Sequence, residues 1–125
     1  MDFCSSIHCM DGRIQGPIQE FLKSNYNVKY VDTITEPGPC KIIAENKDIN
    51  AIDSILQRVK ISVDIHKSNL IAISGHYDCA GNPCDAEVQK GQIKQSVEYL
   101  KNLYTNTEII GLWIDSNWKV RLIGT

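Results

Sequence analysis

The run Leu70-Ile71-Ala72-Ile73 is the feature that most limits how this chain can fold. It is apolar at every position, with no polar alternation. Such a strand cannot keep one face in water, so it predicts a central parallel strand covered on both sides. Ser74-Gly75-His76-Tyr77-Asp78-Cys79 follows at once and puts a His and a Cys three positions apart, straight after that run. Far upstream, Cys9-Met10-Asp11-Gly12-Arg13 follows the short stretch Phe3 to His8, which also reads as a strand. If the two strands are neighbours, Cys9, His76 and Cys79 meet at their ends.

The remaining chain supplies the scaffold. Gly16-Pro17 is expected to open a helix, because Pro suits a first helical position, and Ile18, Phe21, Leu22 and Tyr26 follow on one face. Val28 to Ile34 is rich in β-branched residues and predicts a second strand. Thr35-Glu36-Pro37-Gly38-Pro39 breaks it as a rigid loop. A second helix is expected from about Asp48 to Lys60, with Asp48 as N-cap and Ile52, Ile55, Leu56 and Val59 as its apolar stripe. The third strand is Asn69 to Ser74, and His76 to Cys84 reads as a loop. The next helix is expected to start at Asn82-Pro83, with Asn82 as cap. Gly91 marks a break or close contact in it, and Ile93, Val97, Leu100 and Tyr104 share a face. Glu108 to Ile114 predicts a fourth strand. Trp118 to Ile123 predicts a fifth, whose alternation with Lys119 and Arg121 suits a half-exposed antiparallel edge.

The order βαβαβαββ predicts an α/β fold: a mainly parallel four-stranded sheet with covering helices and a fifth, antiparallel edge strand. Residues 1–125 are expected to form a single domain, since the length is close to the commonest domain size. Ligands of such sheets bind beyond the C-terminal ends of the strands, where both Cys-containing stretches fall. A net charge of −2 without a basic cluster argues against nucleic acid as partner. No apolar run approaches the roughly 20 residues that span a bilayer, and the first residues lack the pattern of a signal peptide, so no membrane association and a cytoplasmic location are expected. Five cysteines, Cys4, Cys9, Cys40, Cys79 and Cys84, favour thiols or metal ligands over a disulfide framework. A chain this short leaves much surface exposed, which a symmetric partner would help to cover.

Zinc takes thiolate and imidazole in a tetrahedral shell, and catalytic sites keep three protein ligands and one open position. Cys9, His76 and Cys79 would supply that set for one Zn2+ per chain. Asp11 could accept a hydrogen bond from zinc-bound hydroxide while Arg13 holds it in a bidentate pair. Were that pair to break, Asp11 could become the fourth ligand and close the site. The plainer alternative is two buried thiols, a hydrogen-bonded core His and a structural Asp11–Arg13 salt bridge. Cys4 and Cys84 read as buried free cysteines, with a spare ligand or redox partner as the alternative for each. His8 and His66 read as core or surface histidines, with proton transfer as the alternative, and Trp113 and Trp118 read as packing residues of the core or of a dimer surface. Gln15 stands where a Cys-x5-Arg phosphatase loop would need its Arg.

Cys-x-Asp-x-Arg followed by Gly-His-x-x-Cys, with Gly-Leu-Trp-Ile-Asp at 111–115, resembles the beta class of carbonic anhydrases over most of the chain. The resemblance implies zinc on Cys9, His76 and Cys79, an Asp11–Arg13 catalytic dyad, reversible hydration of carbon dioxide to bicarbonate, and a homodimer or higher homo-oligomer. It also implies a mainly parallel sheet with one added antiparallel strand. The family's N-terminal helices and the pocket Gln they carry have no counterpart in the eight residues before Cys9, and Glu36-Pro37-Gly38-Pro39 replaces its Ala-Gly-Asn-like stretch. Part of the substrate pocket is therefore expected to be missing. Three alternatives stand beside this reading: a zinc-binding module without turnover, a hydrolase of another small heterocumulene such as carbon disulfide, and a thiol redox protein using Cys79 and Cys84.

Overall fold

A computed structural model describes residues 2–124. In chain order its elements are β1 (Phe3–Cys9), α1 (Gly12–Tyr26), β2 (Tyr30–Glu36), α2 (Pro39–Glu45), α3 (Ile49–Lys60), a single π-helical turn (Ile61–Ile65), β3 (Leu70–His76), α4 (Ala86–Leu103), β4 (Glu108–Ile114) and β5 (Val120–Ile123). The sheet runs β2-β1-β3-β4-β5. The first four strands are mutually parallel and β5 is antiparallel to β4, as the sequence predicts.

The apolar run in β3 serves both faces of the sheet. Ile71 and Ile73 join Ile7, Ile34 and Ile109 under α2, α3 and α4. Leu70 and Ala72 point the other way, to Cys4, Ile110 and Leu112 and to Ile14, Ile18 and Leu22 of α1. Ile7, Ile71 and Ile73 have no exposed surface, and each such side chain contributes about 1.5–3 kcal/mol by leaving water. Gly111 lies where α4 presses closest: a Cβ there would stand 2.7 Å from Ile93.

Several boundaries differ from the sequence expectation. Helix α1 starts at Gly12, not at Gly16-Pro17. Asp11 caps it, its Oδ1 accepting from the Arg13 N–H at 2.9 Å, and Ile14 extends the buried stripe by one turn. Pro17 therefore sits inside the helix and forgoes one backbone hydrogen bond. The Glu36–Pro39 segment is less of a break than expected: β2 runs through Glu36, and α2 follows directly with Pro39 in its first turn and Gly38 left-handed at φ 64°. Helix α3 is capped by Asp48 as expected. Helix α4 starts at Ala86, not at Asn82-Pro83. Asp85 caps it by accepting from the Val88 N–H at 2.9 Å, and Gly91 lies inside with open space around it rather than at a break. Strand β5 begins at Val120, because Trp118 belongs to the turn, with φ 61°.

Removing the Asp85 cap should cost about 1 kcal/mol. Chemical denaturation of Asp85→Ala is expected to show that loss with an unchanged denaturant slope. The parallel Asn82→Ala variant should lose stability through a different route, the buried amide contacts described below.

Candidate metal centre

The chain leaves β1 towards β2 on one side and later returns to β3 on β1's other side. The crevice beyond the C-terminal ends of β1 and β3 is thus the topological switch point, where ligands of open parallel sheets bind. Cys9 ends β1 and His76 ends β3. Cys79 follows in the next turn, where Asp78 adopts the left-handed region at φ 57°.

These three residues come together. Their ligand atoms lie within 4.8 Å of one another, and all three residues are buried. The Cys9 and Cys79 sulfurs are 3.8 Å apart. Two sulfurs at about 2.3 Å from a tetrahedral Zn2+ would be separated by roughly that distance. His76 Nδ1 lies 2.7 Å from the Tyr77 carbonyl oxygen, to which it must donate. That fixes the tautomer and leaves a lone pair on Nε2, which is buried and without a hydrogen-bond partner. An unsatisfied buried polar atom costs about 1–3 kcal/mol. A cation between the three donors removes that deficit, so the residues present fit a soft, tetrahedral metal such as zinc.

The surroundings favour charged sulfur at this point. Cys9 is pushed well below the ordinary thiol range, mainly by the Cys79 S–H and further by His76 and the Gly38 and Asp11 backbone. Cys79 is pushed up in turn, because one negative sulfur opposes a second beside it. Burial lowers His76, yet the Cys9 thiolate and the Tyr77 carbonyl together carry it above its usual value. Gln89 fixes the strand end by pairing with both backbone groups of His76: its Oε1 accepts from the N–H at 3.2 Å and its Nε2 donates to the carbonyl at 2.9 Å.

Asp11 and Arg13 form the pair anticipated from their spacing. Arg13 Nε donates to Asp11 Oδ1 at 3.0 Å and Nη2 to Oδ2 at 2.7 Å. This contact holds the Asp11 carboxyl at about 2, below the usual range. Asp11 Oδ2 lies 4.0 Å from His76 Nε2, so the carboxylate faces the donor set from beside it. The Cys-x-Asp-x-Arg spacing has a local cause. Asp11 must cap α1, and Arg13, two residues on, bends its side chain back over that cap.

Sequence reasoning overlooked two further parts. Gln15 donates to the Cys9 and Asp11 carbonyls and accepts from His8 Nε2 at 2.7 Å. Because Gln15 Nε2 must donate to carbonyls, His8 carries its proton on Nε2 and accepts from Ser6 at Nδ1. His8 is a buried structural residue behind Cys9. The second part is a loop lock. Gly81 packs against Pro37 so closely that a Cβ would stand 2.6 Å from the Pro37 carbonyl carbon. Asn82 next to it is buried and donates to Gln92 Oε1 at 2.6 Å. The Pro37-Gly38 segment thereby clamps the loop that carries Cys79.

The other cysteines are thiols away from this chemistry. Burial pushes Cys4 up to about 11 and Cys40 up to about 12. Cys84 Sγ lies 3.3 Å from Asn82 Oδ1, while Cys79 pairs with Cys9. His66 lies at the sheet's far end, 2.7 Å from Asp32 and stacked on Phe3. Trp113 packs in the core, and Trp118 lies over Arg13.

A family model described as putative carbonic anhydrase matches residues 1–124. Solved structures share the fold. One of two tetrameric beta-carbonic anhydrases from the filamentous ascomycete Sordaria macrospora aligns at TM-score 0.67 and 13% identity, over 99% of this chain and 81% of that one. A carbonic anhydrase from Glaciozyma antarctica aligns at 0.61 and 17%, over 96% and 81%. The beta-carbonic anhydrase of Aspergillus fumigatus aligns at 0.60 and 13%, over 97% and 74%. Among curated protein sequences there is no match.

Cys9→Ser, His76→Ala and Cys79→Ser should each reduce bound divalent metal to a small fraction of what the unsubstituted chain retains, read by elemental analysis after dialysis. Affinity in the unsubstituted chain should weaken as pH falls, because all three donors must be deprotonated to bind. Gly81→Ala should also weaken metal binding, since its Cβ has no room beside Pro37. Gly91→Ala, with open space around it, should leave metal binding unchanged and stabilise α4 by up to about 1 kcal/mol.

Proposed function

The chain belongs to the putative carbonic anhydrase family, and from that premise we propose that it catalyses the zinc-dependent, reversible hydration of carbon dioxide to bicarbonate. The observation that carries this reading is the state of Asp11. Its carboxylate is held by Arg13 beside the three donor residues instead of completing their set. Such an arrangement supports turnover over a closed, four-ligand metal module.

The residues divide the work. Cys9 and Cys79, as thiolates, and His76, through its Nε2 lone pair, hold the ion. Zinc held there would supply Lewis acidity, the chemistry that lowers the pKa of a water molecule towards neutral. Two thiolates balance the charge of Zn2+, and Arg13 balances Asp11, so the site is close to neutral overall. Asp11 Oδ2, facing His76, is placed to accept a hydrogen bond from the attacking water and turn its lone pair towards substrate. Arg13 keeps that carboxylate ionised and oriented. Because Asp11 stays charged well below neutral pH, it acts as an orienting acceptor, and its own protonation does not limit the rate in the neutral range.

The protein is proposed to work as one domain and at least as a homodimer. Assembly is supported by the Sordaria macrospora neighbour, which is described as tetrameric. No helix among the described residues is long and apolar enough to cross a membrane.

The test is stopped-flow carbon dioxide hydration on protein of verified zinc content, across about pH 6.5 to 9. Turnover should rise with pH, and Asp11→Ala should lower it by about 10²-fold or more. One zinc per chain with no turnover at any pH would sink the proposal.

A further inference from the structure

Arg13 is held by more than Asp11. Its Nη1 donates to Asp78 Oδ2 at 3.3 Å and its Nη2 to the Asp78 carbonyl at 3.1 Å. Its guanidinium carbon lies 4.6 Å from the centre of the Trp118 ring, on the ring's face. The two residues that grip it come from different parts of the chain, the turn after β3 and the turn before β5. Both adopt the left-handed backbone, Asp78 at φ 57° and Trp118 at φ 61°. For a bulky residue such as Trp this conformation is strained, and it persists only where the surroundings enforce it.

The enforcement is visible at Trp118. Asp115 Oδ1 accepts from the Asn117 and Lys119 N–H groups, and its Oδ2 accepts from Arg121. The Trp118 N–H donates to the Asp115 carbonyl at 2.9 Å. Tyr77 closes the gap between the two turns: its ring meets Trp118 edge-on at 6.3 Å, and its N–H donates to the Ile114 carbonyl at 2.9 Å. A tied turn thus presents an indole face to one side of the guanidinium, and a second turn presents a carboxylate and a carbonyl to its far end. With those positions filled, the Nε–Nη2 edge is left to Asp11.

We propose that Asp78 and Trp118 are positioning residues which act through Arg13 to keep the Asp11 carboxylate out of the ligand set of Cys9, His76 and Cys79. The proposal rests on the metal-centre reading above and concerns coordination, not turnover. Without this grip Arg13 is free to swing into solvent, and Asp11, 4.0 Å from His76 Nε2, competes for the ion's fourth position. The two contacts differ in kind. Asp78→Asn removes charge while tolerating the left-handed backbone. Trp118→Leu removes the ring face, and Trp118→Phe restores one.

The experiment uses the Co2+-loaded chain, whose visible spectrum reports the fourth ligand, titrated with azide as a small competing anion. Asp78→Asn and Trp118→Leu should each weaken azide binding about fivefold or more, and Trp118→Phe should recover most of it. In an Asp11→Asn background the same changes should move azide affinity by less than about twofold, since nothing is left to compete. Unchanged affinity in both single variants, or an equal loss with and without Asp11, overturns the proposal. A second readout needs no metal: hydrogen exchange at Arg13 Nε–H should speed up about fivefold or more in Asp78→Asn and Trp118→Leu, and unchanged exchange overturns the proposal as well. A wild-type chain that binds Co2+ and azide but hydrates no carbon dioxide sinks the hydration reading and leaves this one standing.

Discussion

The parallel pairing of β1 with β3 is the constraint from which the site follows. Ser5, Ser6 and Ile7 register with Ile71, Ala72 and Ile73, and this alignment brings the ends of the two strands level. Because β2 and β4 leave to opposite sides, no crossover helix covers the gap above β1 and β3. That gap is where a buried thiol and a buried imidazole can face each other. Anchoring comes from the core: the same β3 residues that fix the register are those with no exposed surface. A slip of one residue would turn Ile71 and Ile73 towards α1 and carry His76 to the wrong face of the sheet.

On this frame, short-range backbone requirements do much of the aiming. Asp11 caps a helix and is therefore already turned towards the N-terminal end of α1, where the helix dipole also favours its charge. Arg13 lies in the first turn and reaches it without a long loop. Asp85 has a related task at the other end of the Cys79 loop, fixing where α4 begins and so how much chain is left between His76 and Ala86. Between these caps, Gly38 and Gly81 pass so close that only glycines fit. Rigid elements thus deliver all of the candidate ligands, with one short loop carrying Cys79, and that loop is clamped from behind.

Much of this was legible in the sequence, for reasons that can be stated residue by residue. The unbroken apolar run at 70–73 announced a two-faced strand, and the Asp48 cap with its stripe announced α3. The two cysteine motifs stood out because each follows a strand and each contains residue types that bind metal. What misled was punctuation. Pro17 and Pro83 both suggested helix starts, since Pro is common in a first turn, but the side-chain caps at Asp11 and Asp85 set the true starts. At Asp11 one carboxylate carries two signals, and its fit to a metal-site motif masks its fit to a helix cap. The contacts of Gln15, Gly81 and Asn82 left no trace in periodicity or spacing, because each depends on a segment distant in the chain or on a buried side chain. In sequence Trp118 looks like a packing residue for the same reason, since its relation to Arg13 exists only after β5 has folded back along β4.

The double use of Asp11 bears on how such a site tolerates change. One carboxylate satisfies the start of α1, pairs with Arg13 and faces the metal donors. A substitution there removes a helix cap together with any catalytic contribution, so loss of activity alone would not separate the two. Asn keeps the capping acceptor and discards the charge, whereas Ala discards both. Comparing those two variants divides the structural share from the electrostatic one. The same logic explains why Arg13 is tied to three partners at once. A partly exposed ion pair contributes little by itself, and a carboxylate 4.0 Å from an imidazole lone pair would be drawn to any cation placed there. Holding it at a fixed distance requires a guanidinium that cannot move. The turn bearing Asp78 and the turn bearing Trp118 provide that restraint from two sides, through a hydrogen-bonded carbonyl and a ring face whose geometry does not depend on the charge of Asp11.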